Sequence, residues 1–163
     1  MRLTLNEIFD SPLKLTQEIG SIRKVFSVNH PQFDWFQIFT CKLDNHEYLI
    51  YNARENGFYR IDFELIDLKK ADGLQNVKDI PVRIFSTIIH LYEIHIKNNQ
   101  PIRIYAHDSK YFDLYKRILV KKIDQSSWII NYRQNIIECK PIGKIHGSVK
   151  SYKEIMEAIR CQK

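Results

Sequence analysis

The sequence predicts a mixed α/β (α+β) domain, in which an antiparallel meander precedes a long central helix, a strand–helix unit and a closing hairpin. Apolar and charged residues alternate after the pair Asn56-Gly57, which is typical of a hairpin that leads into a half-buried strand. An apolar stripe at helical spacing then runs through residues 82–97 and leads into the short apolar segment 101–106. A helix between two strands indicates a crossover, so the strands on either side of it are expected to be parallel neighbours.

Length and composition indicate one domain. At 163 residues, of which 44% are hydrophobic, the chain is long enough to bury a core without covalent staples. We expect the domain to span residues 1–142. Residues 143–163 are expected to form a linker and a C-terminal helix that docks on the domain, because Ser151 and Glu154 form a capping box.

The N-terminal residues, the hydropathy and the cysteines predict a cytoplasmic protein without a membrane partner. No apolar run approaches the roughly 20 residues that span a bilayer. The first residues, MRLTLNEIFDSPL, include acids and lack the apolar stretch of a signal peptide. The scattered cysteines Cys41, Cys139 and Cys161 suit reduced thiols, so neither a disulfide framework nor a metal site is expected.

Local signals outline the elements before the meander. A helix of about two turns is expected between Ser11-Pro12, which suit a helix start, and Gly20, which suits a stop. Valines and a phenylalanine then predict a strand over residues 22–28, which ends before Pro31.

The meander is predicted from alternation and tight turns. After Asn56-Gly57, apolar residues at odd positions alternate with charged residues at even positions, so one face is expected in the core and the other in solvent. Two of those charged residues, Asp62 and Glu64, could act as a base if a cleft lies beside them. The predicted strands are residues 33–43, 48–54 and 59–65, and the first turn is Asp44-Asn45-His46.

The long helix is predicted over residues 82–97, with Pro81 in its first turn and Asp79 as its cap. Between the meander and this helix, at most one short strand is expected, near Leu74. The elements predicted beyond it are a buried strand at residues 101–106, a helix capped by Asp108 or Ser109, and a hairpin over residues 128–132 and 135–141.

The end of the predicted buried strand carries His107 and Asp108, at the position where open α/β sheets place ligands. A carboxylate or an imidazole there suits a general base. Asp108 equally suits the N-cap of the helix that follows, so both interpretations stay open.

Positive charge is concentrated in the second half of the chain. Residues 97–163 hold 14 Lys and Arg against 6 Asp and Glu, whereas residues 1–96 hold 11 against 13. This balance suits a phosphate-rich partner such as CoA or nucleic acid, an anionic protein, or a solvated surface. Cations interleave there with tyrosines, which stack on bases but also suit a core. The candidate residues for anions or nucleic acid are Arg103, Lys110, Lys116 and Arg117.

The strand IRIYA is followed by Asp108, Tyr111 and the pair Leu114-Tyr115. This spacing, together with the order of elements over roughly residues 33–141, resembles the Gcn5-related N-acetyltransferase (GNAT) family. The family pattern is Asn, two residues, Ala, two residues, then Leu-Tyr. Here Asp108 replaces the Asn and Tyr111 replaces the small residue. The segment from Arg83 is also similar to the VFSTV-like helix start of poorly characterised phage-type proteins.

The GNAT resemblance implies a cofactor, acetyl-CoA, and a set of site residues. It implies that Tyr115 protonates the leaving CoA thiolate as general acid, and it makes Asp108 a second catalytic candidate. The CoA pyrophosphate would lie at the start of the long helix, at Val82, Arg83 and Ile84. The family has a glycine-rich loop at that place, whereas this chain has Pro81, which lacks an N–H.

Three functions follow as expectations. The first is a small cytoplasmic, phage-type binding or regulatory module with a protein partner, in which acyl transfer is lost or residual. The second is an active N-acyltransferase that moves an acetyl group from acetyl-CoA to an amine. The third is an accessory protein that binds nucleic acid. The sequence leaves the partner, the acceptor substrate and the oligomeric state open.

Overall fold

The computed structural model describes residues 16–17, 21–66, 74–75 and 79–143. Within these ranges lie eight strands and three α-helices. The strands are β1 (Thr16–Gln17), β2 (Trp35–Leu43), β3 (His46–Glu55), β4 (Phe58–Ile66), β5 (Leu74–Gln75), β6 (Ile102–Tyr105), β7 (Trp128–Arg133) and β8 (Ile136–Pro141). The helices are α1 (Ser21–Asn29), α2 (Val82–Lys97) and α3 (Ser109–Ile118), and a 3₁₀ turn (Val120–Lys122) follows α3.

All strands belong to one mixed sheet, ordered β1-β2-β3-β4-β6-β8-β7, with β5 paired to β4 outside this path. The neighbours are antiparallel except β4 and β6, which are parallel and are connected by a crossover that contains α2. The predicted mixed α/β class is therefore confirmed, together with its meander, its parallel neighbours and its closing hairpin. The short strand expected near Leu74 is β5.

Two tight turns set the register of the meander. Asp44 and Asn45 adopt φ of 50° and 65°, and Asn56 and Gly57 adopt 53° and 83°. Positive φ at both central residues gives a type I′ turn, whose twist matches that of the strands it joins. These turns confirm the predicted hairpins and lengthen their strands, because pairing starts directly at both ends of each turn.

The strand that was expected over residues 22–28 is wrong, because these residues lie in helix α1. Ile22, Val25 and Phe26 are spaced three and four residues apart, and they pack together on the sheet. Phe26 is fully buried, whereas Val28 is 72% exposed. Burial therefore follows the helical period of 3.6 residues, and the β-propensity of the valines is overridden by packing.

Two further expectations concern the ends of the chain. A helix was expected within residues 11–20, of which the structure describes Thr16 and Gln17. These two residues are not helical, because they form β1 and pair with Thr40 and Phe39 of β2. The linker and C-terminal helix expected over residues 143–163 lie outside the described residues beyond Gly143.

Helix α2 begins at Val82 and ends at Lys97, as predicted. Pro81 occupies the N-cap position without a side-chain hydrogen bond, so the expected cap by Asp79 is wrong. The apolar stripe of α2 lies against one face of the sheet and forms most of the core with it. Buried residues of α2 in this core are Ile84, Phe85, Ile88, Ile89, Leu91 and Tyr92.

The second face of β4 differs from its prediction, because Asp62 and Glu64 are buried rather than solvated. Helix α1 covers this face, where Phe26 packs beside Leu49 and Tyr51 of β3. The alternation in β4 therefore separates two buried faces, one apolar and one charged. Because helix α1 was not predicted from the sequence, the second face of β4 was expected to be exposed to solvent.

The parallel contact between β4 and β6 is short. One register pair, Tyr59 with Ile102, joins these strands within the described residues. Beyond it, the buried hydroxyl of Tyr92 on α2 bridges the strands. This hydroxyl accepts a hydrogen bond from the Ile61 N–H at 3.0 Å and donates toward the Arg103 carbonyl at 2.8 Å. Burial raises the pKa of the Tyr92 hydroxyl, so it stays protonated and able to donate.

We expect the substitution Tyr92→Phe to lower the free energy of unfolding by about 1–3 kcal/mol, because it leaves a buried N–H and a buried carbonyl without a partner. The matched control is Tyr115→Phe, since the Tyr115 side chain is also buried and its ring meets that of Tyr92 edge to face, but its hydroxyl does not bridge β4 and β6. Urea titration followed by far-UV circular dichroism measures both. Equal losses in the two variants would contradict the bridging role of Tyr92.

Candidate functional site

Tyr115, the general acid implied by the GNAT resemblance, lies in the core between α2 and α3. Its side chain is 2% exposed. Its ring centroid is 5.0 Å from that of Phe85 and 6.3 Å from that of Tyr92. Burial raises the pKa of its hydroxyl well above the usual value. A thiolate would have to come within hydrogen-bond reach of this hydroxyl, inside the core, to receive its proton.

Asp108, the second catalytic candidate, is the N-cap of α3. Its backbone is extended, and its carboxylate accepts a hydrogen bond from the Tyr111 N–H at 3.0 Å. This bond satisfies one of the free N–H groups in the first turn of the helix. Of the two interpretations left open by the sequence, the cap is thus confirmed, and the carboxylate is engaged in it.

The start of α2 carries Val82, Arg83 and Ile84, the residues expected at a CoA pyrophosphate. Arg83 is exposed, Val82 is half-buried and Ile84 is fully buried in the core. Ile80, shortly before these residues, is hydrogen-bonded to α3, because its N–H donates to the Tyr111 hydroxyl at 3.0 Å. Arg83 is therefore the residue of the three that offers an accessible charge.

Two carboxylate–imidazole pairs lie on the charged face of β4. Asp62 bonds Nε2 of His107 at 3.1 Å, and Glu64 bonds Nε2 of His30. The ring of His107 is parallel to that of Phe63, with centroids 5.5 Å apart. A carboxylate that bonds an imidazole fixes the orientation and the tautomer of the ring, which is the arrangement that a general base requires. Both acids were candidate bases in the sequence, whereas the role of His30 as a partner was not predicted.

Arg103 is separated from the other three candidate cations. It is buried on the charged face of the sheet, where its guanidinium bonds Glu138 at 2.7 Å and lies 3.7 Å from Glu55. Lys110, Lys116 and Arg117 instead lie on α3, where all three are exposed. The structure thus brings together three of the four residues expected to bind an anion or nucleic acid.

Lys116 is part of an aromatic cluster between α3 and β7. Its ammonium lies 4.9 Å from the ring centroid of Tyr132 and 5.7 Å from that of Phe112. The two rings meet edge to face with centroids 6.0 Å apart. Such contacts between a cation and aromatic faces are worth about 0.5–1 kcal/mol at an exposed site. We name the cluster of Phe112, Lys116 and Tyr132, together with the exposed Arg117 that follows Lys116 on α3, the α3–β7 surface.

Sequence reasoning did not identify Tyr132 as a surface residue, because it assigned residues 128–132 only to a strand of the closing hairpin. Phe112 is half-buried and packs against the core. One signal in the sequence was available. Trp128, Ile129 and Ile130 are apolar at successive positions, so a strand there places apolar side chains on both faces. A strand at the end of a sheet with two apolar faces leaves one of them uncovered.

The remaining candidates for chemistry are the cysteine thiols and clusters of acidic and histidine side chains. Cys41 and Cys139 are free and buried, and burial raises the pKa of both thiols to about 12. Within the described ranges, no group of three or more His, Cys, Asp or Glu side chains could hold a metal ion. Among the described helices, none is long and apolar enough to cross a membrane.

Comparisons with known proteins gave no match, whether against protein-family models, curated proteins or solved structures. The resemblance to Gcn5-related N-acetyltransferases and to phage-type proteins therefore remains one of element order and residue spacing.

Cys41 and Cys139 are expected to resist alkylation by iodoacetamide in the folded protein at pH 8. A rise in pKa to about 12 lowers the fraction of reactive thiolate by roughly tenfold per unit relative to an ordinary thiol. Peptide-level mass spectrometry should show rates at least about 100-fold slower in buffer than in urea. Similar rates in both conditions would show that the thiols are accessible.

Proposed function

We propose that this chain is a cytoplasmic binding module that contacts a protein partner through the α3–β7 surface, and that acyl transfer has been lost. The observation that carries the proposal is the cluster in which the exposed Lys116 lies over the rings of the half-buried Phe112 and the exposed Tyr132. The free, buried Cys41 and Cys139 fit a reducing compartment.

Exposed apolar side chains are concentrated near this surface. Tyr132 is 46% exposed and Ile129 is 52% exposed, both on β7, and the exposed Ile142 directly follows β8. Within the described residues, the other exposed large apolar side chain is that of Val28 on α1. The side chains of Ile129, Tyr132 and Ile142 lie on both faces and at both ends of the β7–β8 hairpin, so an extended partner that follows β7 could cover Ile129 and Tyr132. Aromatic residues and arginines supply most of the binding energy in such contacts.

The charge of this region favours an acidic partner. Lys110, Lys116 and Arg117 are exposed on α3, and Lys121 and Lys122 follow in the 3₁₀ turn. Lys122 pairs with Glu93 at 3.0 Å. The excess of cations on this side of the molecule attracts anions and speeds their association.

The loss of acyl transfer is supported by what occupies the region that resembles a CoA site. The Tyr115 hydroxyl is buried among aromatic rings, and Asp108 caps a helix. The Tyr92 hydroxyl bridges β4 and β6 where these strands separate. Pro81 offers no N–H at the start of α2. An acyl-CoA bound as in the resembling family would have to displace these contacts.

The proposal is tested with the full chain and a peptide display library. We expect selected peptides to be acidic, and Lys116→Glu or Tyr132→Ala to weaken them by at least about tenfold, since each removes a contact worth about 1.4 kcal/mol or more. Fluorescence polarisation of the selected peptides measures the dissociation constants. Lys42→Glu on β2 is the matched control for charge, and Val28→Ser on α1 is the control for exposed apolar area.

Two results would contradict this proposal. Peptides that bind Lys116→Glu and Tyr132→Ala as tightly as the unmodified chain would move the contact to another surface. A single-stranded oligonucleotide that binds more tightly than the peptides, with a steep salt dependence that weakens in Lys116→Glu, would replace the protein partner by nucleic acid.

A second candidate is N-acetyl transfer from acetyl-CoA to an amine. It is favoured by the Asp62–His107 pair, because that pair lies at the end of β6 and could accept the amine proton. In that case acetyl-CoA at 100 times its dissociation constant should stabilise the chain by about 2.7 kcal/mol in thermal unfolding, and Tyr115→Phe should abolish release of free CoA thiol. Absence of stabilisation at millimolar acetyl-CoA would exclude acyl transfer by the free chain.

A further inference from the structure

Strand β7 lies at the end of the sheet, and this position carries a more specific inference that rests on the proposed function. We propose that β7 binds an extended segment of the partner as an additional strand, and that this segment alternates apolar with acidic residues. Main-chain hydrogen bonds to β7 would then provide affinity, and the side chains beside β7 would provide specificity.

The edge of β7 is open in the described part of the chain. β7 is last in the strand order, and its partner is β8. At the opposite end of the sheet, the long strand β2 is paired with β1. The side chains of Ile129, Asn131, Tyr132 and Arg133 on β7 are all exposed. A neighbouring strand could therefore approach β7 without displacing a described element.

The register with β8 identifies which main-chain groups face outward. The Ile142 N–H donates to the Ser127 carbonyl at 2.9 Å, so these residues form a hydrogen-bonded pair next to the pair Trp128–Pro141. Hydrogen-bonded and non-bonded pairs alternate along an antiparallel ladder. Trp128, Ile130 and Tyr132 therefore direct their N–H and C=O groups away from β8. Proline lacks an N–H, which agrees with the non-bonded position of Pro141.

Strand β7 lacks the features that usually protect an edge. Proteins blunt exposed edges with proline, with lysine, with bulges or with very short strands. β7 has six residues, WIINYR, paired continuously with β8. It contains neither proline, glycine nor lysine, and its charged residue, Arg133, is at its end. Such an edge is a template for strand addition.

The chemistry of the partner segment is inferred from the side chains on the two faces of β7. On the helical face, Lys116 lies over Tyr132. On the other face, the exposed Lys140 is paired with Ile129 across the β7–β8 ladder. Arg133 lies on this second face, where it bonds Glu138 at 2.6 Å, and the same carboxylate bonds Arg103 at 2.7 Å.

Because side chains of a strand alternate between its two faces, acidic side chains on the helical face of the added strand would meet Lys116, and its apolar side chains on the other face would cover Ile129. A second copy of this chain is a poorer occupant of the edge. Pairing of β7 with itself would bring together two copies of the same cationic edge, each on a chain of net charge +6. An anionic segment gains from that charge, so we commit to an acidic segment of another protein.

The test uses an eight-residue peptide that alternates valine and glutamate, added to the full chain at up to about 1 mM, where weak binding is detectable. Amide exchange of the main chain is followed by NMR. We expect the N–H groups of Trp128, Ile130 and Tyr132 to exchange at least about tenfold more slowly with the peptide, because they gain hydrogen bonds. The N–H groups of Ile129 and Asn131 already face β8 and serve as internal controls.

Two matched peptides separate strand addition from attraction between charges. The first has N-methyl groups on the amides that face β7, which removes main-chain donors but leaves its charge unchanged. The second replaces glutamate by lysine. We expect both to lose protection of the three outward N–H groups, and Lys116→Glu in the chain to weaken the glutamate peptide by about tenfold.

Several outcomes would overturn the inference and leave the proposed function standing. If the N-methylated peptide protected the outward N–H groups as well as the unmodified peptide or bound as tightly, while Lys116→Glu still weakened binding, the α3–β7 surface would bind its partner without strand addition. Protection of the outward N–H groups in the free chain at low concentration would mean that β7 is already covered by this chain. Protection that rises with protein concentration, together with a dimer in sedimentation velocity, would assign the edge to a second copy. If the peptide display library also yielded no binding peptide, the proposed function would be overturned together with this inference.

Discussion

The continuity of the sheet depends on one short parallel contact, between β4 and β6. The meander lies on one side of this contact and the closing hairpin lies on the other. Within the described residues, β4 and β6 share one register pair. The Tyr92 hydroxyl of α2 joins the two strands through hydrogen bonds to the backbone of both. Helix α2 is thus both the crossover that connects β4 to β6 and the source of the group that bridges them. The hydroxyl is fully buried, so its hydrogen bonds form in a low dielectric and are costly to lose.

A second constraint is the burial of charge on the other face of the sheet. Asp62 and Glu64 are buried, and isolated carboxylates in such surroundings would be strongly destabilising. Each has a histidine partner, and a chain of ion pairs extends from there across the sheet. Its members are Arg60, Glu55, Arg103 and Glu138, with N–O distances of 2.7–3.8 Å. Removing one member leaves each of its neighbours with a single remaining partner on a poorly solvated face, so this face tolerates substitution poorly.

These two constraints separate the residues that the GNAT resemblance implies for catalysis from the surface that we propose for a partner. The hydroxyls of Tyr92 and Tyr111 are used in hydrogen bonds to the backbone, and Tyr115 is enclosed by aromatic rings. The accessible cations and apolar side chains lie instead at the outer end of the sheet, on α3 and β7. Polar groups inside the domain thus stabilise the fold, whereas the exposed groups at its edge are free to take part in binding.

The sequence by itself determined the features that depend on neighbouring residues. The type I′ turns follow from Asn45, Asn56 and Gly57, which adopt positive φ at low cost, and α2 follows from an apolar stripe at the helical period. Only the tertiary structure decided that residues 21–29 are helical, that Asp62 and Glu64 are buried, and that Arg103 is separated from Lys116. Each of these outcomes depends on contacts between distant segments, such as the bond from His30 to Glu64 across 34 residues, and no local pattern encodes a partner so far along the chain.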